Sequence, residues 1–298
     1  MIKIYLSFFK NSFLDLPNKR SSHKEPITNF GGVLIVFVIL IMAFIDANPY
    51  IFSLLPLAIV GFLDDRFNLP RFFRYLVQSS TTLIIIFQSS LNYLIINNFD
   101  LPQKIAIYII FLLIGTAIIN FINFMDGIDG MVAGNLFLIF LVSSLLIKTN
   151  ILCTIIGALL GFLYWNWNPA KIFLGDSGST FLGSLLVWIL FNIEGVNNSI
   201  IICCIASPML LDAFICILRR FFAKQNIFKS HSLHLYQRLY KAGWSHQKIS
   251  LIYMSSTLAL SVLYMIFGLQ ILFLSTFLIC IIGIYMDCYI AIPFNKNL

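Results

Sequence analysis

The chain reads as long apolar runs broken by short polar stretches. Runs dominated by Ile, Leu, Phe and Val fall near 31–48, 49–63, 74–96, 104–122, 130–148, 151–166, 177–194, 198–218, 249–268 and 270–291. A bilayer core of ~30 Å needs about 20 helical residues. Each run therefore predicts a membrane-crossing helix, with the second and sixth short. The polar breaks alternate in kind. Those after residues 63, 122, 166 and 218 are rich in Asp, Asn, Arg or Lys, whereas those between them carry little charge. The pattern predicts an all-α polytopic membrane protein of about 10 transmembrane helices, with its polar loops on one face.

Composition agrees. Of 298 residues 60% are hydrophobic and 10% charged, against about 25% charged in a soluble domain. Met1 to Phe30 has lysines but neither the apolar core nor the small-residue cleavage site of a signal peptide. No internal repeat or linker divides the chain, so residues 1–298 read as a single integral-membrane domain. The six cysteines (Cys153, Cys203, Cys204, Cys216, Cys280 and Cys288) lie in apolar segments. Their spacing suggests neither a zinc site nor a disulfide framework, which leaves packing.

Charge fixes the orientation. With residues 1–30 on one side, 17 of the 19 Lys and Arg fall on that side, leaving Lys104 and Lys148 opposite. The positive-inside rule makes the basic side cytoplasmic. The net charge of +7 is then a topology signal, and nucleic acid is not an expected partner. His23, His231, His234 and His246 share this side with Asp64, Asp65, Asp126, Asp129 and Asp176. A transporter places its key polar groups near mid-membrane. Gathering them at one face suits an enzyme acting at the membrane surface on a cytosolic substrate.

Five stretches carry the candidate chemistry. In Asn120–Gly130, Asn120, Asn123, Asp126 and Asp129 recur every third position and form a slanting stripe on a helix, while Gly127 and Gly130 open the backbone. Asp15 to His23 packs Asn18, Lys19, Arg20, Ser21, Ser22 and His23 together, groups suited to phosphate oxygens. Asp64 and Asp65 repel each other unless a cation lies near, and Arg66, Arg71 and Arg74 could hold anions. Asp176 sits among small residues at a helix start, where a carboxylate suits Mg²⁺ and free N–H groups suit phosphate. The Gly-Asp-Ser-Gly string there matches a serine-protease motif without triad context. Phe173 either packs or offers a stacking platform for a base. In the basic loop 219–248, His231, His234 and Arg238 are spaced to share a helical face. Each stretch also has a plain reading, as a topological flank, a solvated turn or a basic interfacial segment. Acidic metal sites, cations and a lipid-facing bundle together imply phosphoryl transfer with a lipid partner.

These motifs, in this order and on one side, resemble the polyprenyl-phosphate N-acetylhexosamine-1-phosphate transferases. That family includes the enzymes initiating O-antigen and common-antigen synthesis and the phospho-MurNAc-pentapeptide translocase. The resemblance covers nearly the whole chain. It implies transfer of a sugar 1-phosphate from a UDP-N-acetylhexosamine to undecaprenyl phosphate with release of UMP, in the bacterial inner (cytoplasmic) membrane with a cytoplasmic active site. It implies Asp176 as Mg²⁺ ligand, with Mn²⁺ as a substitute, and Phe173 stacking on uracil. Asp64, Asp65, Asp126 and Asp129 take the catalytic positions. Asn18, Arg20, Ser22, His23, Asn123, His231, His234 and Arg238 contact substrate. The Pro17–His23 loop looks more like the O-antigen branch than the peptidoglycan branch. GlcNAc or a 6-deoxy-HexNAc is the expected sugar, membrane lipid the surrounding partner, and a homodimer is admitted. Relatives usually carry a full span before the first motif, giving 11; here fourteen residues precede Asp15. Asn29, Phe30, Gly31 and Gly32 replace an Arg and glycines after Pro26. A transporter or flippase, with Asp212 and Asp287 as deep acidic groups, and an inactive transferase-derived scaffold are the alternatives.

Overall fold

The computed structural model describes residue 2 and residues 13–15, 25–147, 149–227, 229 and 231–294. Nearly every apolar run is helical. In chain order the helices are α1 (Gly31–Ile45), a 3₁₀ turn (Pro49–Leu54) entering α2 (Leu55–Phe67), α3 (Arg71–Gln88), α4 (Ser90–Asn98), α5 (Leu101–Phe124), α6 (Met131–Leu146), α7 (Asn150–Asn166), α8 (Gly175–Asn192), α9 (Val196–Phe222), α10 (Leu235–Lys241), α11 (His246–Phe267) and α12 (Leu269–Tyr289). Local signals set several ends. Asp100 and Gln103 form a reciprocal capping box at the start of α5, which satisfies two otherwise orphan donors. Ser245 accepts from Lys248 N at the start of α11.

By length and hydropathy, four described helices qualify as spans by themselves: α5, α9, α11 and α12. A fifth arises if α3 and α4 are joined across their 71° bend. The third apolar run is therefore a broken helix, interrupted where Ser89 takes an extended conformation. The fold also holds one feature that hydropathy did not signal, a two-residue ribbon. β1 (Leu14–Asp15) pairs antiparallel with β2 (Ile27–Thr28), and Thr28 bridges in parallel to Ile172.

Helix α8 is the axis of the bundle. It packs against α1, α2, α3 and α5 and is buried almost all round. Ser177, Gly178, Ser179, Thr180, Gly183 and Ser184 give it a narrow profile, and small residues let helices approach closely where lipid supplies no hydrophobic drive. Gly61 of α2 shows how tight this is, since a Cβ there would stand 2.5 Å from the Asp176 backbone. That approach brings the end of α2, with Asp64 and Asp65, beside the first turn of α8.

Candidate active site

The polar ends of α2, α5 and α8 converge at one end of the bundle around two cavities. An outer cavity of about 830 Å³ is lined by residues including Asp15, Asn29, Asp65, Asp126, Asp129, Phe173, Tyr236, Gln237 and Lys241. An inner cavity of about 260 Å³ is lined by residues including Leu57, Val60, Tyr75, Gln78, Asn120, Asn123, Lys229, His231 and His234. Asp64, Arg71, Arg74, Asp176 and Gln237 line both.

At the shared wall, Arg74 bonds Asp64 Oδ2 and lies 3.5 Å from Asp176 Oδ2. Asp64 also accepts from Leu69 N at 2.7 Å. Asn123 donates to Asp176 Oδ1 and to Ser179 Oγ, both at 2.9 Å. Asp65 accepts the first N–H groups of α8, from Asp176 at 3.0 Å and Ser177 at 3.4 Å, and the Asn29 amide at 2.9 Å. No donor among the described residues bonds Asp126.

Among the described residues this cluster is short of positive charge. Burial, which outweighs the Asp176 and Ser177 N–H groups, pushes Asp65 up to about 7, and the charges of Asp126 and Asp64 add to the rise. Its side chain still opens into the cavity, so solvent screens part of that effect. Burial and then the charges of Asp176 and Asp129 push Asp126 up to about 8. Arg74 is the one cation in ion-pair contact with these four carboxylates among the described residues.

Asp129 differs. Its Oδ1 lies 3.1 Å from His246 Nδ1, and its Oδ2 accepts from Asn168 Nδ2 at 2.8 Å and Ala170 N at 3.2 Å. Burial alone would raise it, but His246, Asn168 and the Ala170 N–H hold it below the usual carboxylate range. It ties the turn after α5 to α11 and to the loop before α8, and it also lines the outer cavity.

The basic loop splits likewise. His231 and His234 face the inner cavity. Burial, the other imidazole and Arg220 bring His231 down to about 3, and burial and Arg220 do the same for His234. Both are neutral at pH 7. His231 Nδ1 accepts from Leu233 N at 3.3 Å, so its proton sits on Nε2, free to donate to an anion. Cys216 comes within 4.8 Å of both imidazoles, but buried Arg220 opposes a further cation there. Arg238 is 2% exposed, donates to the carbonyls of Leu233 and Ile292 and pairs with Asp287. It faces away from both cavities, against the expectation of a substrate contact, because the turn of α10 directs it towards α9 and α12.

Phe173 lines the outer cavity. Asn18, Arg20, Ser22 and His23 lie outside the described residues. Gln237, which lines both cavities, was not singled out from sequence, and Asn29, marked there only as a departure from relatives, holds Asp65. Arg66 stacks over Phe13 at 5.4 Å and Phe67 at 5.7 Å and lines neither cavity.

A helical membrane protein with clustered carboxylates, a bridging guanidinium and a polar cavity at one end has the build of a membrane-embedded enzyme of phosphate chemistry. Residues 48–194 match the model of Glycosyl transferase family 4. It is similar to a probable undecaprenyl-phosphate N-acetylglucosaminyl 1-phosphate transferase of Bacillus subtilis (strain 168), 26% identical over 92% of this chain and 82% of that protein. An undecaprenyl-phosphate alpha-N-acetylglucosaminyl 1-phosphate transferase of Thermotoga maritima is 34% identical over 59% of this chain and 56% of that protein. A phospho-N-acetylmuramoyl-pentapeptide-transferase of Orientia tsutsugamushi (strain Ikeda) is 28% identical over 91% of this chain and 87% of that protein.

Proposed function

We propose that the protein transfers N-acetylhexosamine 1-phosphate from a UDP-sugar to a polyprenyl phosphate and releases UMP. The observation that carries this is the shared wall. Asp64, Arg71, Arg74 and Asp176 border both a large polar cavity and a smaller one of mixed lining, to which Leu57, Val60, Phe124 and Ile227 give an apolar part. The outer cavity suits a nucleotide-sugar and the inner one a lipid-borne phosphate. Their phosphates would meet at this wall.

A lipid phosphate oxygen attacks the sugar-linked phosphorus. The bond from that phosphorus to the bridging oxygen breaks, and UMP leaves with that oxygen. Arg71 and Arg74 orient the phosphates. The His231 Nε2–H donates to a phosphate oxygen. Asn123 holds the Asp176 carboxylate towards the wall, and Phe173 offers a face for uracil. The lipid phosphate is ionised near neutral pH, so no side chain has to remove a proton from it. Asp176, Asp65 and Asp126 are the groups that would hold Mg²⁺, or Mn²⁺ in its place. The raised carboxyls fit a hard cation with oxygen ligands. Such an ion neutralises charge on the transferring phosphate.

The N-acetylglucosaminyl 1-phosphate transferases among the relatives favour GlcNAc as the sugar, with a 6-deoxy-HexNAc as the second candidate. The product would start an O-antigen or related envelope glycan at the cytoplasmic face of the inner membrane. The test is UMP release by purified protein given undecaprenyl phosphate, Mg²⁺ and a panel of UDP-N-acetylhexosamines. Release that needs lipid and metal is the expected result. Silence with every donor would overturn the reading.

A further inference from the structure

The spans contain a carboxylate that the proposed chemistry does not use. Asp212 lies in the middle of α9 and is 8% exposed. An ionisable group inside apolar sequence is costly unless partnered. Asp212 accepts from Leu235 N at 2.7 Å, from Tyr236 N at 3.2 Å and from the Tyr253 hydroxyl at 2.7 Å. It thus fixes the entry of α10 from a distant span. The buried Tyr236 hydroxyl then donates to Phe124 O at 2.9 Å, at the end of α5 and just before Asp126. Gln237 Nε2 donates to that hydroxyl at 3.1 Å. A Cβ on Gly127 would come within 2.4 Å of the Tyr236 oxygen. The turn carrying Asp126 is therefore shaped to receive this phenol.

We infer that Asp212 is a positioning residue: through α10 and the Tyr236 hydroxyl it sets the Asn123–Asp129 turn and the Gln237 side chain against the cavities. This rests on the proposed transferase reading, which supplies the activity to be measured. Asp212 lines neither of the two cavities, although its Oδ1 lies 3.8 Å from His234 Nδ1 in the inner cavity's wall. It acts because two backbone N–H groups and one phenol converge on it, and the same peptide segment reaches the acidic turn.

The test is a double-mutant cycle with Asp212→Asn and Tyr236→Phe in the full-length protein. Turnover is read per folded molecule, together with the KM for the UDP-sugar and hydrogen exchange of residues 123–129. Each single variant is expected to lower kcat about tenfold and to speed exchange in that turn. The double variant should lose little more than either single one, because groups in one chain are not additive. Equal kcat and KM with only a lower yield of folded protein would overturn the inference, as would losses that multiply. If Asp212→Asn does not fold, Tyr253→Phe removes one of the three donors and takes its place. If the wild type releases no UMP, the transferase reading fails first. Exchange in the turn then decides this inference, and wild-type rates in the variants would overturn it.

Discussion

Two sets of carboxylates sit in this chain under opposite conditions. Asp64, Asp65, Asp126 and Asp176 crowd a cavity wall where one guanidinium meets them. Asp212 and Asp287 lie in the spans and are fully engaged, Asp212 by three donors and Asp287 by Arg219 and Arg238. Both sets are costly to desolvate. The second is compensated within the protein and holds helices together. The first meets a single cation among the described residues, and it is there that the proposed metal and phosphates would sit. The engaged charges in the spans also remove the main feature a transporter reading would have used.

Four outcomes sharpen or break this contrast. The largest is Asp176→Asn, expected to lower UMP release about 10³-fold or more with folding intact, because it removes the carboxylate between both cavities. Near-normal turnover in a well-folded sample would dissolve the distinction. Arg74→Ala should lower turnover about 10²-fold, with Lys a partial substitute because a point charge replaces a fork.

The third outcome concerns pH. Asp65 and Asp126 are raised to about 7 and about 8. A raised carboxyl is protonated below its pKa, and a metal takes only the ionised form. Apparent Mg²⁺ affinity should therefore rise as pH climbs through 7 and 8, and below that range fall about tenfold per pH unit for each of the two protons the ion must displace. A flat Mg²⁺ half-saturation between pH 6 and 9 would contradict it. The smallest effect on activity belongs to Asp287→Ala. Turnover per folded molecule should stay within about threefold, while thermal stability drops, since stranding one partner of a buried pair costs about 3–5 kcal/mol.

Much of this was legible in the residues. Long apolar runs are helical because lipid leaves the backbone no other partner, and each cavity carboxylate ends or starts such a run. What the chain did not disclose is which way long side chains turn. His234 and Arg238 sit one helical turn apart, yet His234 faces the inner cavity and Arg238 turns to Asp287, 49 residues on by number. Arg74 reads as a holder of anions until α3 lies against α8 and sets it between Asp64 and Asp176. Asp129 and Asp126 look alike in sequence. Only the fold brings His246 and Asn168 to the first and leaves the second without a donor. The ribbon joining Leu14, Thr28 and Ile172 is too short to leave a period-two pattern.

The most direct test is Mn²⁺ binding to the purified protein, followed by electron paramagnetic resonance, in wild type, Asp176→Asn and Asp287→Ala. The expected result is saturable binding in wild type and Asp287→Ala, and loss of it in Asp176→Asn. Undiminished Mn²⁺ binding by folded Asp176→Asn would show that the cavity carboxylates are not a metal site centred on Asp176.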